Sequence, residues 1–242
     1  MRMFRLSVAL QFAGWSADRV RLAEQRATWF ADTAPRWAGP LHLTPDRGGS
    51  RAEAEGVWPT NRRGWLRCVD DEAEHGATHG WVWQEDMEPT PDFWDNLGRA
   101  IDASRGEKII SLLCARRDMA KARAAGGTWL QLPDGTWGGA TIMPLSEVAQ
   151  FLLWEARHVH PTLLSADARV DLWMRATGRT AYATVPSLLQ HVGDRSIMGH
   201  SGVRRAELVA EGPVEFSRTE GSRLSRRGLN HHMLDYVKEA MA

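Results

Sequence analysis

The chain has 242 residues, 43% hydrophobic and 25% charged, with 30 basic side chains balanced by 30 acidic ones. These proportions exclude a disordered, fibrous or collagenous chain, and the zero formal net charge excludes a histone-like or polybasic protein. A chain this long buries about 70% or more of its unfolded surface, so one α/β domain with a small appendage needs no disulfide or structural metal.

The first residues, MRMFRLSVAL, predict a buried strand over 4–10; they lack the small-residue cleavage site of a secretory leader. Ser16 is a candidate N-cap, and Val20, Ala23, Ala27 and Phe30 follow at helical spacing, which predicts a helix over 16–30. PLHLTPDRGG reads as a short strand entering a loop where Asp46, Gly48 and Gly49 can approach a ligand closely. Residues 61–72 predict a second helix. The apolar run WVW stops abruptly in QED, and Pro89 and Pro91 precede a helix carrying Phe93, Trp94, Leu97 and Ile101. KIISLLC is a further buried strand. This alternation predicts a parallel or mainly parallel sheet with helices on both faces, binding its ligand at the carboxyl ends of the strands.

The second half supplies a Gly-rich loop, LPDGTWGGATIMP, helices over 146–157 and 167–176, and the run YATVPSLLQHVGDRS. Residues 201–242 form a segment of mixed charge, with arginines from Arg204 to Arg227 among glutamates, ending in a short helix. Cys68 and Cys114 form no ligand pair and read as two buried thiols in a reducing, cytoplasmic compartment. No run reaches the roughly 18 apolar residues of a membrane span.

Five constellations carry candidate chemistry. Glu85 and Asp86, between Gln84 and Glu88, sit at a strand tip, where oxygen ligands suit Mg²⁺ or Mn²⁺; the same acids also suit a solvated turn before a helix. Asp167 and Asp171 share one face at a helix start, as a general base and its neighbour or as ordinary capping residues. His191, between an apolar run and a Gly loop, suits a metal or a phosphate, or a satisfied structural role. Gly138 and Gly139 permit close backbone approach to a sugar or phosphate, with Trp137 as a stacking face; Trp58 also falls in a loop-like context. His158 and His160 make an HxH pair that binds zinc only with further ligands. The chain contains no Walker A, GxGxxG, HExxH or GxSxG motif, which disfavours a P-loop enzyme, a Rossmann dehydrogenase and a zincin.

In order, NRRGWLRCVDD, THGWVWQEDMEPTPDF, WGGATIMP, SADARVDLWM and YATVPSLLQHVGDRS resemble a small glycosyltransferase of the GT-A fold, the nucleotide-diphospho-sugar transferase architecture. The likeness is to short stand-alone enzymes of actinobacterial bacteriophages and spans residues 4–200, which implies one catalytic domain over 1–200. It places QED at the family's DxD motif, so Asp86 would bind Mn²⁺ or Mg²⁺ with Glu85 or Gln84 assisting; the first position is Gln rather than Asp. His191 would be the C-terminal metal ligand and Asp167 the base of an inverting transfer. Asp46 would bond the nucleoside of a UDP-sugar. Gly138 and Gly139 would border the donor, and Trp137 and Asp171 the acceptor. The resemblance further implies a hydroxymethylated base, 5-hydroxymethylcytosine in phage DNA, as acceptor, in a host cytoplasm. A saccharide, lipid or protein acceptor, and a binding module without turnover, are the alternatives.

Overall fold

The computed structural model describes residues 4–114, 118–133, 135–136, 138–192, 206, 208–218 and 222–223. Strands β1 (Leu6–Phe12), β2 (Ala38–Pro45) and β3 (His79–Gln84) alternate with helices α1 (Ala17–Thr33) and α2 (Val57–His75). A short strand β4 (Met87–Pro89), helix α3 (Phe93–Ala103), strand β5 (Ile109–Ser111) and helix α4 (Asp118–Ala124) follow. Then come β6 (Trp129–Leu132), a 3-10 turn (Gly138–Ala140), β7 (Thr141–Pro144), α5 (Leu145–His158), α6 (Ala166–Thr177), β8 (Ala181–Thr184), β9 (Leu189–His191) and β10 (Ser222–Arg223). Eight strands form one sheet in the order β10-β6-β8-β5-β7-β3-β1-β2, while β4 and β9 make a separate antiparallel ribbon.

The sheet is mixed. β1 runs parallel to β2 and β3, β5 to β8, and β10 to β6, whereas β7 opposes β3 and β5, and β6 opposes β8. Alternation along β1 builds both faces: Leu6, Val8 and Leu10 enter one core with α1 and α3, and Ala9 enters the other with α2, α5 and α6. The first core is aromatic. Trp29 stacks on Trp94 with ring centroids 5.4 Å apart, Trp81 stacks on Trp83 at 4.9 Å, and Phe93 meets Trp81, Trp94 and Trp29. Trp81, Trp83, Trp94 and Trp173 are core residues as expected, and Trp154 is partly buried.

Three expectations are corrected. The second helix begins at Val57, because Trp58 belongs to the apolar stripe it shares with Trp65 and Cys68; Trp58 is buried, with the Arg169 guanidinium 4.8 Å over its ring. The Gly-rich stretch is not one loop, since TIMP is the central strand β7. The described part of the segment after residue 200 is no separate appendage: Ala206 and Ala210 are buried, Trp129 Nε1 donates to Ser217 O at 2.7 Å, and β10 extends the sheet. The expected terminal helix lies outside the described residues. Among the described residues no helix is long and apolar enough to cross a membrane.

Candidate functional site

Strands β2, β1 and β3 end side by side, with Phe12 opposite Pro45 and Gln11 opposite Gln84. In open α/β sheets this carboxyl edge is where ligands bind. Because β7 is antiparallel, the 3-10 turn before it also lies at this edge. A Cβ on Gly139 would stand 2.5 Å from the Gln84 side chain, so the turn packs closely on Gln84. The β4–β9 ribbon brings His191 opposite Met87, and Val192 N donates to Asp86 O at 2.7 Å. Gln84, Glu85, Asp86, Gly138, Gly139 and His191 therefore converge.

The acid pair faces a buried cation. Arg19 Nη1 lies 2.7 Å from Asp86 Oδ2 and 3.3 Å from Glu85 Oε1, and Arg26 reaches Glu85 O at 3.4 Å and Glu88 Oε1 at 3.6 Å. One guanidinium cannot compensate two carboxylates, and it sits closer to Asp86. Burial, with the Asp86 charge added and the Arg19 charge only partly offsetting it, raises the Glu85 carboxyl well above the usual range. For Arg19, burial works against the charge, but Glu85 and Asp86 outweigh it and its pKa is raised.

The donor set fits a divalent cation at two of its three expected ligands. His191 Nε2 lies 3.5 Å from Asp86 Oδ2, and the other carboxylate oxygen, Asp86 Oδ1, is buried with no hydrogen-bond partner among the described residues, as is His191 Nδ1 on the far side of the ring. Glu85 does not fit. It turns toward Arg19 and is buried, so its carboxyl lies against the guanidinium instead.

The remaining candidates divide. Ser165, not Asp167, accepts the capping bond of α6, from Ala168 N at 3.2 Å, and Asp167 sits half-buried in the first turn. Asp171 is buried and accepts from Thr136 N at 3.0 Å, while a Cβ on Gly135 would come within 1.8 Å of its Oδ1. It therefore fixes the loop before the 3-10 turn and is too enclosed for the acceptor contact expected of it. Asp46 accepts from Gly48 N and Glu55 N through Oδ1 and from Gly56 N through Oδ2, so its carboxylate folds the 46–56 loop and has little capacity left for a nucleoside. Trp137 lies outside the described residues. His158 and His160 do not combine: His158 stacks on Trp154, while the His160 ring bonds Thr162 Oγ1.

Arg19 and Arg26 were missed by the sequence reading. They occupy the same helical stripe as Ala23 and Phe30, and a cation recurring on the apolar stripe of a helix was the available signal. A second polar cluster lies at the opposite edge of the sheet. Buried Asp71 accepts from Ser7 Oγ at 2.5 Å and lies 2.7 Å from His42 Nε2, and on its other side Asp71, Glu74 and His75 make a group that could hold a metal. It shares no residue with the carboxyl-edge site.

No protein-family model matches the chain, and no curated protein matches it in sequence. Among solved structures it is similar to A197 from STIV, with a TM-score of 0.43 and 11% identity over 79% of this chain and 87% of that one.

Proposed function

We propose that the protein is a metal-dependent, inverting glycosyltransferase of GT-A type, moving a sugar from a nucleotide-sugar, with UDP as carrier, to an acceptor hydroxyl. The observation that carries this reading is the Asp86–His191 pair at the carboxyl edge of the sheet, with His191 Nε2 3.5 Å from Asp86 Oδ2 and Asp86 Oδ1 buried without a partner among the described residues, beside the buried cation Arg19.

Asp86 and His191 would hold Mn²⁺ or Mg²⁺. When bound, that ion supplies positive charge against the departing nucleoside diphosphate. Arg19 adds a fixed guanidinium in a site partly withdrawn from water, where charge acts strongly. Gly139, packed on Gln84, lets the backbone of the 3-10 turn approach the donor. Asp171 holds the adjoining loop through Thr136 N. Asp167, in the first turn of α6, takes the proton from the acceptor hydroxyl as that oxygen attacks the anomeric carbon opposite the breaking bond to the diphosphate. The acceptor proposed first is 5-hydroxymethylcytosine in DNA.

The test is UDP release from a panel of UDP-sugars with Mn²⁺, with and without DNA containing 5-hydroxymethylcytosine. Release that requires Mn²⁺ and disappears in Asp86→Ala supports the transferase. Stimulation by the modified DNA supports that acceptor, and indifference to it directs the search to saccharide, lipid or protein hydroxyls. Absence of release with every donor, together with a UDP-induced rise in melting temperature, would replace the enzyme with a binding module.

A further inference from the structure

We propose that Arg19 sets the cation affinity of the Asp86–His191 pair, so that the ion is retained only when a diphosphate lies beside it. The inference rests on the reading of Asp86 and His191 as cation ligands.

Arg19 is the third residue of α1 and is 7% exposed; its Nη1 lies 2.7 Å from Asp86 Oδ2, while His191 Nε2 approaches the same oxygen at 3.5 Å. An ion shared by Asp86 and His191 would therefore share a carboxylate with a guanidinium, at a range where like charges repel strongly in a partly buried site. The other charges facing this point do not cancel the repulsion. Glu85 is engaged with Arg19 at 3.3 Å, and Glu88 lies against Arg26 at 3.6 Å. Asp86 Oδ1, buried and without a partner among the described residues, leaves one carboxylate oxygen open to an ion while Oδ2 stays on Arg19. A diphosphate arriving with the ion reverses the balance, because its negative charge is attracted both to the ion and to Arg19. Ion and nucleotide then bind with mutual enhancement, as linkage requires. Free Mn²⁺ or Mg²⁺ alone does not fill the site, and the ion leaves when the nucleoside diphosphate leaves.

The experiment measures Mn²⁺ binding by the electron paramagnetic resonance of the free ion, in the whole chain and its variants, with and without UDP. In the wild type UDP tightens Mn²⁺ by at least about tenfold. Arg19→Gln binds Mn²⁺ at least about tenfold more tightly without UDP and loses most of the enhancement, while Arg19→Lys, which keeps the charge, stays near the wild type. Circular dichroism melts establish that the variants are folded. Arg19→Gln binding Mn²⁺ no more tightly than the wild type, while the wild type binds with UDP and Asp86→Asn does not, overturns the role of Arg19 and leaves the cation site standing. No Mn²⁺ on either protein with UDP overturns both. Should Arg19→Gln fail to fold, wild-type Mn²⁺ affinity indifferent to UDP overturns the proposal by itself.

Discussion

His191 Nε2 lies 3.5 Å from Asp86 Oδ2, and it is the β4–β9 ribbon, pairing Met87 with His191, that holds the two together. Neither residue reaches the other through the main sheet, so the ribbon is the device that makes one site of two distant segments. Replacing either removes one of the two ligand atoms that fit a cation. His191→Ala is expected to lower Mn²⁺ affinity by about 10- to 100-fold, the range seen when a metal site loses part of its support, and to lower UDP release with it. Asp86→Asn is expected to abolish both. Titration of activity with Mn²⁺ checks this: a His191→Ala curve that superposes on the wild type would remove His191 from the site.

Asp167 is separable from the cation because it stands on α6, whose cap is made by Ser165. Asp167→Asn keeps the shape of the first turn and removes the basic oxygen. Acceptor-dependent kcat is expected to fall by about 10² to 10⁴, the cost of a lost general base, while Mn²⁺ and UDP bind as before. Unchanged kcat in single-turnover measurements would assign the proton transfer elsewhere.

Gly135 has φ +147°, and a Cβ there would collide with Asp171. Gly135→Ala must break the Asp171 to Thr136 N bond or shift the loop, with an expected stability cost of about 1–3 kcal/mol and weaker UDP binding. Urea unfolding measures the cost. A Gly135→Ala variant as stable as the wild type would show the loop to be more accommodating than this packing allows.

What could be read from the residues, and what could not, follows the range of the forces involved. The helix over 17–33 and the strand bearing Trp81 and Trp83 are local patterns, legible from the spacing of apolar residues. The ribbon that carries His191 to Asp86 is short on both sides and defined by partners far apart in the chain, so nothing local announces it. Asp46 and Asp171 were legible as acids near strand and helix ends, but only the fold reveals that backbone N–H groups take up their oxygens. Arg19 is the reverse case. Its place on a buried stripe was visible, but its meaning depends on Glu85 and Asp86 arriving beside it.

Arg169 and Glu155 make a buried ion pair that organises the approach to α6. The guanidinium donates to Glu155 Oε1, to Leu163 O at 2.6 Å and to His160 O at 3.0 Å, tying residues 160–163 to α5. Removing Glu155 strands the buried guanidinium, and removing Arg169 leaves Glu155 only Arg62 at 3.8 Å, so Glu155→Leu is expected to cost about 3–5 kcal/mol and Arg169→Met somewhat less. The double variant should cost clearly less than the two together, because no charge is left unpaired. A double-mutant cycle in urea checks this; simple additivity would mean that the backbone bonds of Arg169, and not its charge pairing, carry the effect.

His79 supplies the pH dependence. It is almost fully buried at the start of β3, its Nδ1 lies 2.8 Å from Thr78 Oγ1, and the Gly106 backbone lies against its ring. Burial lowers its pKa to about 4, against 6.5 for the free side chain. Between these values the unfolded chain binds a proton that the folded chain refuses, so stability is full above about 6.5 and falls as the pH drops toward 4. The difference amounts to roughly 3 kcal/mol lost over that window, at about 1.4 kcal/mol per unit. His79→Leu has no proton to bind. Urea midpoints at pH 7 and pH 4.5 should therefore fall further in the wild type than in the variant, and equal losses in the two would show that His79 is charged in the folded protein or does not sense the pH at all.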